Sequence, residues 1–212
     1  MDETRAWQTI AEERRAFADV LDTLTPEQWA TPSLCGEWTV RDVAAHIMVG
    51  PTASIPEVAK AMFRARFKFD RANVLLAKPR AARPTAEITA VLRDRATSRF
   101  TPPGHDWHAP LTDLFIHRLD CLHPLGIPTD RPLDPWPEIL DLLTSPKAHG
   151  AFLPKGAPDL TYVATDVEWS HGTGPRVEGP AEAIALALTR RPVRLDELEG
   201  PGTEMLRAWA HG

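Results

Sequence analysis

The sequence predicts a mainly α protein in which a helical N-terminal domain is followed by a small α/β unit. Three observations carry this prediction. The 212 residues are 43% hydrophobic, enough to bury one sizeable core, or a core with a small satellite. Apolar residues recur at helical spacing through most of residues 1–150, whereas beyond Leu153 short alternating segments bounded by Gly and Pro take over. The expected domains are therefore 1–150 and 151–212.

From Asp2 to Leu24, the residues Trp7, Ile10, Phe17, Val20, Leu21 and Leu24 form an apolar stripe with charges between them, as in an amphipathic helix. Thr25-Pro26-Glu27-Gln28 supplies an N-cap, a proline at the first helical position and a capping-box glutamine, predicting a short turn through Trp29. A loop then spans Thr31 to Trp38. Thr39 and Asp42 can cap a helix whose Val40, Val43, Ala44 and Ile47 share one face, with Gly50-Pro51 ending it. His46 thus falls inside a helix.

Ile55, Val58, Met62 and Phe69 predict one long helix to about Ala77, and Ile88, Val91, Leu92 and Ala96 resume the pattern after the Pro79 to Pro84 break. Pro102-Pro103-Gly104 stops it. From Pro110 to Leu122, Leu111, Leu114, Phe115, Leu119 and Leu122 stripe another helix, closed by His123-Pro124-Leu125-Gly126. Asp134 to Leu140 reads as a capped helix ending near Ser145-Pro146. In the tail, Leu160, Tyr162, Ala164, Val167 and Trp169 suit a strand, His171 to Gly174 its turn, and Val177 the start of a partner strand. Gly179-Pro180 opens a helix carrying Ile184, Ala185 and Leu188, and Thr203 can cap a last one with Leu206 and Trp209.

Composition narrows the function classes. The 21 prolines are about twice the usual share, which means firm loops and helix starts. A net charge of −5 is too mild to demand a polyanionic partner for the whole chain. Between Lys60 and Arg99, however, eleven basic residues face three acidic ones. A solvated, salt-bridged helix face is the simpler reading of that run, and nucleic-acid binding the minor one. Cys35 and Cys121 form no C-x-x-C pair, so neither a disulfide framework nor a cysteine zinc site is expected. No apolar run reaches the ~18–20 residues of a bilayer span and no signal-peptide core is present, so a soluble cytoplasmic protein without membrane partners is expected.

Asp113 and His117 stand four residues apart on a predicted helix, so both side chains project from one face within reach of a single ion. Such a pair is half a metal site, and His46 on another helix is the natural third donor. Three protein ligands would leave a position open, as in catalytic zinc, although nickel, iron or manganese accept the same donors. The same spacing also suits a simple Asp–His ion pair. Asp120 could orient the His117 ring or pair with a neighbouring arginine. His105, His108, His123, His149, His171 and His211 read as loop or surface residues, Cys121 as packed, and Cys35 as a loop residue without an activating neighbour.

The segment from Trp29 through Pro32-Ser-Leu-Cys-Gly-Glu-Trp38-Thr-Val-Arg-Asp-Val-Ala-Ala-His46 resembles the signature of the DinB-like superfamily, in its mycothiol-dependent maleylpyruvate isomerase branch. Asp113-Leu-Phe-Ile-His117-Arg-Leu-Asp120 resembles that branch's acidic-x-x-x-His metal segment. Asp166 to Trp169, Gly172 to Gly179 and Leu186 to Pro192 resemble its C-terminal domain. The resemblance covers most of the chain. It implies a DinB-like four-helix bundle holding a divalent metal, usually zinc, through His46, Asp113 and His117, beside a smaller α/β domain. It departs in one ligand, since the family pattern has Glu where this chain has Asp113. The family's catalytic arginine matches Arg190 or Arg191 only approximately, with Arg191 as the candidate.

The resemblance therefore implies a metal-dependent transferase or isomerase that uses mycothiol or a related low-molecular-weight thiol on a small electrophile, in a chain that could dimerise. A metal-bound thiol ionises near neutral pH, and the thiolate can attack an electrophilic carbon. The alternative is a DinB-like ligand-binding protein that has lost metal chemistry, which the shortened Asp113 side chain would suit.

Overall fold

The computed structural model describes residues 1–102, 104–129, 131–149, 152–154 and 156–212. Pro103 of the expected helix stop, and Gly150 and Ala151 at the expected domain boundary, lie outside the described residues. The chain divides into two compact units, one of residues 2–130 and one of residues 131–212 with Met1.

The first unit is entirely helical apart from its loops. It contains α1 (Glu3–Asp22), α2 (Pro26–Trp29), α3 (Val40–Ile47), α4 (Val49–Thr52), α5 (Ile55–Arg64), α6 (Phe69–Ala81), α7 (Thr85–Asp94) and α8 (His108–Leu122). The expected capping box of Thr25 with Gln28 forms, and the expected cap at Thr39 is also a capping box, with Asp42. The major helices close a ring: α1 packs on α8, α8 on α3, α3 on α6 and α7, and α7 back on α1. Ile10, Phe17, Leu21, Val43, Ile88, Leu92 and Leu111 are fully buried in this unit, each large side chain contributing ~1.5–3 kcal/mol. This ring gives His46 and His117 a shared boundary between α3 and α8.

Two elements differ from the sequence expectation. The single helix expected to Ala77 is a hairpin, because α5 ends in a Schellman motif: Arg66 N donates to Phe63 O (3.0 Å) and Phe67 N to Met62 O (2.8 Å). Arg66 and Phe67 take left-handed φ values of 54° and 59°. Glycine normally marks that turn, and none is present to announce it. Conversely, α6 runs through Pro79 to Ala81. At α8 the helix begins at His108, with Pro110 in its first turn where a missing N–H costs nothing. His108 is therefore helical, stacked on Trp107 at 3.6 Å.

The second unit contains α9 (Trp136–Thr144), a small sheet of β1 (Thr161–Ala164), β2 (Ser170–His171) and β3 (Arg176–Gly179), then α10 (Ala181–Leu188) and α11 (Thr203–Ala210). α10 packs between α9 and α11, burying Trp136, Ile139, Leu140, Ile184 and Leu206. The sequence reading groups α9 with the helical domain; in the structure it belongs to the compact unit that starts at residue 131. In the sheet, β1 lies centrally, antiparallel to β2 and parallel to β3, with Tyr162 opposite Val177. Val167 and Trp169, expected in a strand, instead form the β1–β2 connection, and His171 is a strand residue. The link from β2 to β3 passes hard against the start of β1. A Cβ on Gly172 or Gly174 would lie 2.0 Å from the carbonyl oxygens of Leu160 or Asp159.

Candidate metal centre

His46 is carried in the last turn of α3, a helix fixed at its start by Thr39 and Asp42. Asp113 and His117 are one turn apart on α8. Because α3 packs on α8, the three side chains meet. His46 Nε2 lies 3.3 Å and His117 Nε2 3.4 Å from the same atom, Asp113 Oδ1. The two imidazole rings stand edge to face with centroids 4.8 Å apart. One donor atom from each residue falls within 4.8 Å of the other two.

These spacings fit a common cation. Two ligands each ~2.1 Å from a tetrahedral zinc ion stand ~3.4 Å apart. Two imidazole nitrogens and one carboxylate oxygen also form a donor set that suits zinc, and nickel, iron or manganese as well. The side chains of His46 and His117 are largely buried, whereas Asp113 keeps 34% of its surface exposed. The group is thus enclosed on its histidine side and open on its carboxylate side.

The two histidines are held differently. The His117 Nδ1 edge faces Asp120 Oδ2 at 2.8 Å, and Asp120 has no exposed side-chain surface. With the proton of the ring on Nδ1, the lone pair of Nε2 is directed toward Asp113, the usual arrangement in which a carboxylate fixes the tautomer of a ligating histidine. His46 is positioned by packing: Trp38 lies 5.3 Å away, ring to ring, and His46 Nδ1 is buried without a hydrogen-bond partner among the described residues.

Electrostatics follow the geometry. Burial works to raise the Asp113 carboxyl, but the charges of His46 and His117 and their hydrogen bonds outweigh it and hold the group well below the carboxylate range. Burial works to lower the His117 imidazole, yet the Asp113 charge, with hydrogen bonds to Asp113, Asp120 and Cys35, raises it well above its ordinary value. Cys121 is fully buried in the core, and that burial pushes its thiol up as well. Without a cation, the triad is therefore an ion-paired cluster with a proton on His117.

Cys35 and Trp38 are brought to this place by tertiary contacts. The loop carrying them is pinned by Leu34 N donating to Asp120 O (3.1 Å), Val40 N to Thr31 O (2.9 Å) and Ser33 Oγ to Trp38 O (2.7 Å). Cys35, His117 and Asp120 consequently form a second cluster of donor atoms on the far edge of the same imidazole. The sequence offers no spacing that would pair Cys35 with residues eighty positions away. Arg14 of α1 is a further buried group: its Nη1 donates to Ala96 O and Ser98 O at 2.9 and 2.7 Å. Burial pushes its guanidinium down to about 10, against the opposing charge of Asp113.

Arg191 lies in the second compact unit, where its Nη1 donates to Thr189 O at 2.7 Å. Arg190 places its guanidinium 4.1 Å from the ring of Trp209. Among the described residues, His105, His108, His123, His149, His171 and His211 join neither donor cluster. No helix is long and apolar enough to cross a membrane among the described residues.

Residues 10–120 match the family model described as the mycothiol maleylpyruvate isomerase N-terminal domain. A solved structure described as the crystal structure of the mycothiol-dependent maleylpyruvate isomerase superposes with a TM-score of 0.62 at 13% identity, over 96% of this chain and 94% of that one. At that identity the likeness shows the fold. No curated protein sequence matches the chain.

Proposed function

The chain belongs to the mycothiol maleylpyruvate isomerase N-terminal domain family, and from that premise we propose that it is a metal-dependent enzyme using mycothiol or a related small thiol on a small electrophilic substrate. The observation that carries the reading is the convergence of His46 Nε2 and His117 Nε2 on Asp113 Oδ1 at ligand-like spacing. His46, Asp113 and His117 would hold the ion. When bound there, a divalent cation supplies the positive charge that makes a thiol ionise near neutral pH.

The remaining roles fall to the protein. Asp120 keeps the His117 ring oriented, so that its Nε2 lone pair is presented to the centre. Trp38 backs His46 and screens that edge from water. The exposed side of Asp113 leaves an approach by which a thiol and its electrophile can arrive. The chemistry such a site would supply is that of a thiolate nucleophile, which would suit addition to an activated double bond or displacement of a leaving group. Arg191 is the proposed catalytic arginine, carried over from the resemblance of Leu186 to Pro192 to the family's C-terminal domain.

The test is metal analysis of purified protein and of the His46→Ala and His117→Ala variants, with mycothiol turnover assayed on maleylpyruvate and on a chloro-dinitrobenzene. The expected result is stoichiometric metal in the parent, loss in both variants, and thiol-dependent turnover that Arg191→Ala lowers without loss of metal. Equal metal in all three proteins would overturn the reading. Tight thiol binding without metal or turnover would favour a ligand-binding protein built on the same fold, with the triad serving as an ion-paired cluster.

A further inference from the structure

Eight of the eleven basic residues between Lys60 and Arg99 fall into two populations. Lys78 pairs with Asp42 at 2.9 Å, Arg80 with Glu57 at 2.8 Å, and Arg93 with Asp19 and Asp22 at 2.7 and 2.5 Å. These cations tie the helices of the first unit together. Lys60, Arg64, Arg66, Lys68 and Arg71 are all exposed, on α5, α6 and the turn that joins them. None of the five has a carboxylate partner among the described residues.

Among the described residues, the largest exposed apolar side chains are phenylalanines in this turn and on the helix ends that flank it. Phe63 is 76% exposed, Phe67 73% and Phe69 38%, with Val74 and Leu75 exposed further along α6. The hairpin does not need them for its own packing. Its inner face is a small cluster of Ala61, Ala65, Ala72 and Leu76 with Val49, backed by Val58 and Met62. Phe67 is displayed by a backbone in the left-handed region, φ 59°, immediately after Arg66 at φ 54°, a conformation that disfavours large L side chains. Sparsely populated backbone of this kind persists where surrounding structure enforces it, here through the hydrogen bonds of Arg66 N to Phe63 O and Phe67 N to Met62 O.

We propose that the α5–α6 turn is a peripheral docking tip for an anionic lipid surface, with Phe63, Phe67 and Phe69 entering the interface and Arg64, Arg66, Lys68 and Arg71 meeting the headgroups. Charge complementarity selects this occupant. A second copy docked symmetrically would set the cationic cluster against itself, whereas an anionic leaflet attracts basic residues near its surface and rewards burial of adjacent aromatic groups. Such contact lies on the membrane and needs no spanning helix. It is independent of the metal reading, since none of these residues belongs to the triad.

The test uses the full chain in co-sedimentation with vesicles of phosphatidylcholine alone and with phosphatidylglycerol added. Binding is expected only to the anionic vesicles and falls as salt rises from ~0.05 to ~0.5 M. The double variant Phe63→Gln/Phe67→Asn should lose about tenfold or more in vesicle affinity, while keeping the parent's helical circular dichroism and metal content. Asn suits the left-handed position. Arg64→Gln/Lys68→Gln should weaken binding to the anionic vesicles and make it less sensitive to salt. The proposal is overturned by absent binding, by equal binding to neutral vesicles, by a dimer that the Phe variants dissolve, or by salt-sensitive capture of single-stranded oligonucleotide in place of vesicles.

Discussion

His117 Nδ1 and Asp120 Oδ2 lie 2.8 Å apart, one turn along the same helix, and the carboxylate is wholly shielded from solvent. The pair fixes which nitrogen of His117 faces the other two donors. Asp120→Asn keeps the shape but can present an N–H to the ring, which favours the wrong tautomer. Metal affinity should fall ~10–100-fold, with folding little changed. Competition against a zinc chelator measures it; an unchanged affinity would mean that packing alone orients the ring.

The pH dependence has a definite sign. In the metal-free protein, the raised His117 contributes stability that is complete below its unfolded value near ~6.5 and is lost as pH rises through its folded value. The depressed Asp113 contributes stability that is complete above ~4 and is lost as pH falls through its folded value. The ion-paired cluster is therefore fully stabilising between ~4 and ~6.5. A cation must displace the His117 proton, so its affinity should climb from pH 6 to 8, approaching tenfold per unit while that proton is released. Calorimetric titration in buffers of different ionisation enthalpy counts the proton, and a flat profile would contradict the assignment.

Arg80 is buried at the junction of α4, α5 and α6, bonded to Thr52 Oγ1, to Leu76 O and through both Nη atoms to Glu57. Arg80→Met should cost about 2 kcal/mol, because Leu76 O and Thr52 lose a charged donor while Glu57, 43% exposed, can turn to water. Urea unfolding gives the value. Glu57→Gln should cost less than half as much.

Two glycines separate sterics from backbone preference. Gly174→Ala drives a Cβ to within 2.0 Å of Asp159 O, a backbone atom that cannot step aside without shifting β1. A loss of ~2–4 kcal/mol is expected. Gly126→Ala meets open space and carries only the cost of its φ of 63°, ~1–2 kcal/mol. Equal losses in thermal denaturation would show that the close crossing at β1 is not rigid.

Much of this arrangement is written locally. The capping box of Thr39 and Asp42 places His46 in a helix, and the four-residue step from Asp113 to His117 puts both on one face, because 3.6 residues make a turn. The alternation of Tyr162 and Ala164 marks β1. Local signals fail where the deciding residue is not the one that statistics favour. The turn at Arg66-Phe67 is a helix end without its glycine, so a continuous apolar stripe hides it, and the break expected from Pro79 to Pro84 begins only after Ala81, with Pro79 itself inside the helix.

Sequence alone therefore determined the helix faces and the half-site on α8, since both depend on spacing within a few residues. Only tertiary structure decided that His46 reaches Asp113 across 67 positions, that the Cys35 loop lies against Asp120, and that α9 joins the C-terminal unit. Those outcomes depend on which apolar faces fill one another's space, a property of many side chains at once that no single segment encodes.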